Sequence, residues 1–278
     1  FLSDGALQSR IFNYSSCFKE SSCKLSKAGF DLSGEESNKH KTYCMQNIIL
    51  IGASGFLGSH LREIHSRRGN LVLLVENEKA LSANDNERVL KGGLSALNSK
   101  VITEFQPDTI LHCARPKSKG YRKWGRKQAA RKAQKLNTQL LQEIELSGFS
   151  GPFVFASGSL TYGSSILPQK EDAPLNPISY ARQYYRGEQV FHEELESSKF
   201  PIIILKFPWL LGRGSWFSWF YLENMKKNKA LPLFGTGLNQ MSLIDVRDAA
   251  ELMIQYSENG LLSGIYNVYS PSTLTQID

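Results

Sequence analysis

The sequence predicts an α/β fold, a doubly wound parallel sheet with helices on both faces and a small, incomplete C-terminal lobe. Three observations carry this reading. Continuous apolar runs recur along the chain, helix-like stretches separate them, and a glycine-rich turn joins the first run to the first helix. A strand covered on both faces reads as an unbroken apolar run rather than an alternation. "NIILIG" (47–52), "LVLLV" (71–75), "TILHC" (109–113), "PFVFAS" (152–157) and "PIIILKF" (201–207) are of this kind. Helix-like stretches at 57–67, 126–146 and 179–198 lie between them, and this alternation builds βαβ units.

Composition narrows the class. A chain of 278 residues can bury a sizeable core. It has no run of about 18 apolar residues that would span a membrane. Cys17, Cys23, Cys44 and Cys113 show neither metal-ligand pairing nor disulfide-rich density, so cytoplasm or another reducing compartment is expected and no metal site. His40, His60, His65, His112 and His192 form no spaced cluster and read as structural or surface residues. Net charge is +7, yet Lys117 to Lys135 alone hold nine basic residues and no acid, which leaves the remainder at −2. This stretch, with Tyr121 and Trp124 interleaved, reads as a solvated helix face and loop. Alternatives are a clamp for a phosphate or acidic substrate, or nucleic-acid binding, which is not favoured.

Residues 1–44 differ from the rest, with nine serines and little apolar periodicity. They lack the apolar centre of a signal peptide, and Asp4, Glu20, Asp31, Glu35 and Glu36 argue against a transit peptide. They read as an extension of unknown role, flexible or draped on the surface, or as the tail of a preceding domain with Met45 an ancestral start.

"IGASGFLGSHL" sets Gly52, Gly55 and Gly58 between the first strand and its helix. Gly52 allows a tight turn, Gly55 the close approach of a pyrophosphate, and Gly58 close helix–strand packing. The free N–H groups and positive end of the helix then hold the phosphates. Glu76 closes the second strand, where its carboxylate accepts from the adenosine ribose hydroxyls. A carboxylate there repels a 2′-phosphate and favours NAD over NADP, although Lys79 leaves NADP open.

With these features the chain resembles the extended short-chain dehydrogenase/reductase family, which includes nucleotide-sugar epimerases, dehydratases and reductases. The resemblance runs from about Asn47 to the last residue. It is carried by "GASGFLG", "QPDTILHCA", Asn137 in "KLNTQLL", "FVFASGSLTYG", "NPISYARQYYRGE", "KFPWLLGRG", "LPLFGTG" and "LIDVRDAA". It implies a Rossmann-type domain over 45–278, with lobe segments at about 208–242 and 263–278. It also implies NAD held by Gly52, Ser54, Gly55, Phe56, Leu57, Gly58, Glu76, Ala114 and Asn137. A homodimer through the helices at 126–146 and 179–198, whose leucine and aromatic residues bury the seam, is a further implication; a hetero-complex is the alternative. "GIYNVYSPSTLTQID" resembles the strand that precedes the family's last helices, so the chain reads as a fragment or as carrying a reduced lobe.

In that family a tyrosine exchanges the proton as hydride moves to or from the nicotinamide. A lysine one helical turn later lowers the tyrosine pKa, and a serine or threonine holds the substrate oxygen. Tyr180 matches the tyrosine, Tyr184 occupies the lysine position, and Gly158 occupies the hydroxyl position. A free tyrosine has a pKa of about 10, so the lysine's charge normally supplies much of what makes it a base near neutral pH. Arg182 and Arg186 lie about 200° and 240° around a helix from Tyr180 and cannot replace it. Ser157 or Ser159 can replace the hydroxyl after a small backbone shift.

Further departures follow the same comparison. Gly93 stands where an adenine-contacting aspartate is usual, Trp209 where a substrate-contacting asparagine is, and Met241 where sugar-nucleotide enzymes use an arginine on the diphosphate. The aromatic run "WLLGRGSWFSWFYLENM" reads as core, as the border of a cleft for an apolar substrate, or as a subunit contact. Two functions stay open. One is an atypical NAD-dependent epimerase, dehydratase or reductase acting on a hydroxyl or carbonyl centre of a small molecule. The other is a non-catalytic cofactor-binding subunit of a larger assembly, structural or nucleic-acid-binding.

Overall fold

Seven parallel strands form the main sheet of the computed structural model, in the order β3-β2-β1-β4-β5-β6-β9. The structure describes residues 45–77, 81–115, 123–165, 167–233, 235–270 and 273–277. The extension at 1–44, Lys79, and the start of the basic stretch with Tyr121 lie outside them. The strands are β1 (Asn47–Ile51), β2 (Leu71–Glu76), β3 (Glu87–Lys91), β4 (Thr109–His112), β5 (Phe153–Gly158), β6 (Ile202–Phe207) and β9 (Gly264–Asn267). The five apolar runs named above are the five central strands.

Within β1 the side chains alternate between two cores. Ile48 and Leu50 face the layer of α1 (Phe56–Arg67) and α6 (Val246–Glu258). Ile49 and Ile51 face α2 (Ser99–Phe105), α3 (Lys123–Leu146) and α4 (Arg182–Glu193). From Ile48 to Ile51 both faces are buried, so a polar residue at any of these four positions meets a core. Leu140, Leu141 and Phe191, among the leucine and aromatic residues expected to form a dimer seam, are buried here within a single chain, as are Ile144 and Val190. The basic stretch continues into the first turns of α3, where Lys127, Arg131, Lys132 and Lys135 are exposed.

A second, three-stranded sheet runs β10-β8-β7 and comprises β7 (Trp209–Leu211), β8 (Met241–Asp245) and β10 (Thr273–Leu274). Between β7 and β8 comes α5 (Trp216–Asn228), capped by Ser215, whose hydroxyl accepts from the Ser218 N–H at 3.0 Å. These elements form the lobe. Its expected second segment, 263–278, needs correction. β9 pairs in parallel with β6 and completes the main sheet, and only β10 joins the lobe.

The helix expected over 179–198 is shorter. Residues 179–181 form a turn and α4 begins at Arg182, so Tyr180 stands just ahead of the helix. Arg186 points to α3, donating from Nε to Gln134 Oε1 at 2.8 Å.

Candidate functional site

The sheet order reverses between β1 and β4, and open α/β sheets bind ligands at such a point, beyond the strand carboxyl ends. Gly52 follows β1 there and has φ +91, a conformation side chains rarely adopt. A β-carbon on Gly52 would lie 2.8 Å from the Ala114 nitrogen, and one on Gly58 only 2.1 Å from the Gly52 oxygen. Two loops and the first turn of α1 therefore meet where only glycine fits. The Gly55 N–H donates to the Gly52 oxygen at 2.9 Å and closes the turn. Gly55 is the N-cap of α1 and brings no side-chain cap, and the first turn with Phe56, Leu57 and Gly58 has no acid. A helix start of that kind leaves backbone donors for a phosphate.

Ser54 and Glu76 are joined. The Ser54 N–H donates to Glu76 Oε1 at 2.7 Å, and its hydroxyl to Oε2 at 3.0 Å. Glu76, expected on the adenosine ribose, thus braces the glycine loop and is itself 8% exposed. Gly93 also has a local reason. A β-carbon there would lie 2.0 Å from Asn77 Oδ1, so Asn77 occupies the space of any side chain at 93.

Ala114 and Asn137 belong to one hydrogen-bonded chain. The Ala114 N–H donates to His112 Nδ1 at 3.2 Å, and His112 Nε2 faces Asn137 Oδ1 at 3.3 Å. Asn137 Nδ2 in turn donates to the Gly187 carbonyl at 2.8 Å. Burial pushes the His112 pKa down to about 4, so the ring is neutral, accepting on Nδ1 and donating from Nε2. Asn137 therefore has both amide ends engaged and positions the β4 loop against α3 and α4.

A small cleft of about 60 Å³ lies between the ends of β4 and β5 and the start of α4, and Tyr180, Tyr184, Gly158, Ser157 and Arg115 line it. Tyr180 is 46% exposed, and its oxygen accepts from the Tyr184 hydroxyl at 3.3 Å. Burial and the contact with Tyr180 push the Tyr184 pKa up to about 12, so Tyr184 stays a neutral donor. Ser157 is 4% exposed and donates to Glu188 Oε2 at 2.7 Å, which ties it to the floor of the cleft. Ser159 begins a 3-10 turn, where its carbonyl accepts from the Tyr162 N–H at 3.0 Å.

Sequence reasoning missed Arg115. Its guanidinium carbon lies 5.3 Å from the centre of the Tyr184 ring, and an Nη sits 3.3 Å from where a Gly158 β-carbon would be. The guanidinium thus reaches both Tyr184 and Gly158. The only signal in the sequence was its place directly after "HCA".

A larger cavity, about 120 Å³, lies away from Tyr180 in the lobe, lined by Trp209, Trp216, Phe217, Phe220, Tyr221, Met241 and Gln276 among others. Trp209 stacks on Trp216 at 5.2 Å, and Trp216 on Phe220 at 5.1 Å. No residue of α5 is buried, and Trp216 and Trp219 are half exposed, so the aromatic run is not core. The titratable groups gather at the smaller cleft instead. Among the described residues no helix is long and apolar enough to cross a membrane, and no group of three or more His, Cys, Asp or Glu is placed to hold a metal ion.

Sheet order, glycine turn and helix start together define a doubly wound α/β protein with a cradle for a dinucleotide. The model of the NAD dependent epimerase/dehydratase family matches residues 48–268, and the chain belongs to that family. It is 28% identical over 226 residues to an uncharacterized UDP-glucose epimerase, YtcB, of Bacillus subtilis (strain 168), covering 73% of this chain and 70% of the relative. The fold is also that of UDP-glucose 4-epimerase from Thermotoga maritima, solved with UDP-glucose. The two share a TM-score of 0.67 and 20% identity, over 83% of this chain and 79% of that one. UDP-glucuronic acid 4-epimerase from Bacillus cereus, solved with NAD, has a TM-score of 0.69 at 18% identity, with 83% and 79% covered.

Proposed function

We propose that the chain binds NAD and catalyses redox or epimerisation chemistry at a hydroxyl or carbonyl centre of a small molecule, with Tyr180 as the acid/base group. The observation that carries the reading is the glycine cradle. Gly52 and Gly58 stand where a β-carbon would meet backbone at 2.8 and 2.1 Å, and the uncapped start of α1 leaves donors for a pyrophosphate. Membership of an NAD-dependent family supports the cofactor, and Glu76 beside the cradle favours NAD over NADP.

Around the reacting centre this chain has its own set. Tyr184 donates to Tyr180 in place of the usual lysine, and of the two substitute hydroxyls Ser157, anchored on Glu188, belongs to a residue that lines the cleft. Its relatives' names point to nucleotide sugars, and that class is the first to try. Met241 and the aromatic cavity beside it offer no cation to a diphosphate, so the substrate panel also needs smaller carbonyl compounds.

The rival, a non-catalytic cofactor-binding subunit, keeps one specific support: Tyr184 and Gly158 in place of two usual catalytic side chains. One experiment separates the readings. The protein is loaded with NAD+ and mixed with hydroxyl substrates, or loaded with NADH and mixed with carbonyl substrates, and the NADH formed or consumed is followed by its absorbance. Absorbance that changes in the wild type and stays flat in Tyr180→Phe supports the enzyme. Tight NAD binding with no redox change for any substrate favours the subunit.

A further inference from the structure

Arg115 has no role in the readings above, yet it projects over the cleft that holds Tyr180 and Tyr184. Its guanidinium lies against the Tyr184 ring, 5.3 Å from the centre. A guanidinium resting on a ring keeps its edge N–H donors free for an acceptor. One Nη also sits 3.3 Å from the β-carbon position of Gly158, in room that a serine or threonine would take.

The charge around Arg115 is not balanced from within. Among the described residues no carboxylate pairs with it. The next seven residues, "PKSKGYR", contain no acid. Glu188 is the one acid among the described residues lining the cleft, and it is already paired with Lys206 and in hydrogen-bond contact with His192. Arg126 of α3 adds a second positive field at Tyr184, and its buried Nε has no partner among the described residues. An exposed arginine fork in a small, positively charged cleft matches a planar carboxylate, which it can grip with two parallel hydrogen bonds.

We propose that Arg115 binds a carboxylate of the substrate, so that the cleft takes a hydroxyl or carbonyl compound whose reacting carbon lies next to a carboxylate. This rests on the reading of the cleft as the reaction site. Held at Arg115, the anion fills the space in front of Gly158, and the neighbouring oxygen lies on the side of the cleft lined by Tyr180. Gly158 is then the residue that makes room for the arginine, and not only a lost hydroxyl.

The test uses pyruvate, which has the carbonyl and the carboxylate, and acetone, which has only the carbonyl. Each is titrated into the full chain by calorimetry or NMR, with and without NAD. Saturable binding of pyruvate and none of acetone is expected. Arg115→Gln should weaken pyruvate by about tenfold or more, the scale of a charge-assisted hydrogen bond. Arg115→Lys should fall between, because it keeps the charge and loses the fork. Gly158→Ser, whose backbone angles suit any residue (φ −132, ψ 144), should crowd the guanidinium and weaken pyruvate as well. No pyruvate binding, equal binding in Arg115→Gln, or acetone binding as well as pyruvate would each overturn the assignment. Arg115-dependent pyruvate binding without NAD binding would leave it standing and overturn the cofactor reading instead.

Discussion

Glu188 of α4 and Lys206 of β6 form an ion pair inside the protein, with side chains 4% and 0% exposed. The remaining lone pairs and protons are also met. Glu188 accepts from Ser157 at 2.7 Å and meets His192 at 2.9 Å, and Lys206 donates to Thr161 at 2.9 Å. The cluster lies under the floor of the cleft and fixes the end of β5 against α4, which is what holds Ser157 and the Gly158 turn in place.

Stability should report that pair. Lys206→Met leaves Glu188 buried without its cation, and urea unfolding is expected to lose about 3–5 kcal/mol. Glu188→Gln together with Lys206→Met removes both charges and should recover a good part of the loss. Burial opposes ionisation of Glu188, but His192, Lys206 and Ser157 outweigh it and hold the carboxyl below its ordinary value of 4.5. A carboxyl depressed in the folded state contributes stability above its unfolded pKa and loses it as pH falls through the folded value. The wild type should therefore lose stability with acid below about pH 4.5 more steeply than the double variant. Parallel acid profiles of the two proteins would refute the pair's contribution.

The glycine cradle makes a second prediction. Gly55 has extended angles (φ −77, ψ 170) that valine tolerates, and an added β-carbon would lie 3.1 Å from the Gly52 oxygen. Gly55→Val should therefore fold, with unchanged circular dichroism, and bind NAD at least ~10-fold more weakly by calorimetry. Gly58→Ala is different, since its β-carbon would sit 2.1 Å from a carbonyl oxygen. It should cost stability of about 1–3 kcal/mol, as overpacked sites do. An unchanged NAD affinity in a folded Gly55→Val protein would rule the cradle out.

How far the sequence could be read depended on whether a feature was local. The five central strands were legible because each is buried on both faces and needs an unbroken apolar run. The edge strand β3, "ERVLK", was not, because an edge tolerates charge and reads like a loop. Its Glu87 is buried and pairs with Arg62 of α1 at 2.6 Å, a contact between separate elements, and also accepts from the Asn84 N–H at 2.9 Å. Lys206 hid inside "PIIILKF" for the same reason, since its partner is on another element. The i, i+4 spacing of Tyr180 and Tyr184 was visible as a pattern, and their hydroxyls do meet. Arg115 was invisible as a site residue because only the fold brings Gly158 and Tyr184 to it. The aromatic run misled through composition: its rings stack on one another and still leave α5 unburied.

Leu140, Leu141, Val190 and Phe191 of α3 and α4 are spent on the chain's own core and are not available to a contact between copies. The outward positions carry Lys127, Arg131, Lys132 and Lys135 of α3 and Arg182 and Arg186 of α4, all exposed. A symmetric contact there would bring like charges together, so light scattering at micromolar concentration is expected to give the monomer mass. A dimer mass that Arg131→Glu abolishes would contradict this. If a dimer forms and only Trp219→Ser abolishes it, the exposed aromatic face of α5 is the contact.

The pair Tyr180 and Tyr184 gives the last prediction. The Tyr184 hydroxyl donates to the Tyr180 oxygen at 3.3 Å, and with its pKa pushed up to about 12 it remains protonated over the working range. It can therefore solvate a Tyr180 oxyanion with one neutral hydrogen bond but brings no charge to it. A lysine in the same place brings both, and a charge-assisted bond is roughly twice as strong as a neutral one. Tyr184→Lys should raise the neutral-pH turnover by about 10²-fold, within the usual range for general acid–base catalysis, with the gain shrinking toward alkaline pH. The new ammonium also gains a hydrogen bond to offer the nicotinamide ribose, so NAD should bind more tightly by calorimetry. Tyr180→Phe should abolish turnover in both backgrounds, because the lysine acts only through the tyrosine. A pH–rate profile of the three proteins decides between the possibilities. Turnover that survives Tyr180→Phe unchanged would assign the proton to another group, and a Tyr184→Lys protein that binds NAD more tightly yet stays silent with every substrate would favour the non-catalytic subunit.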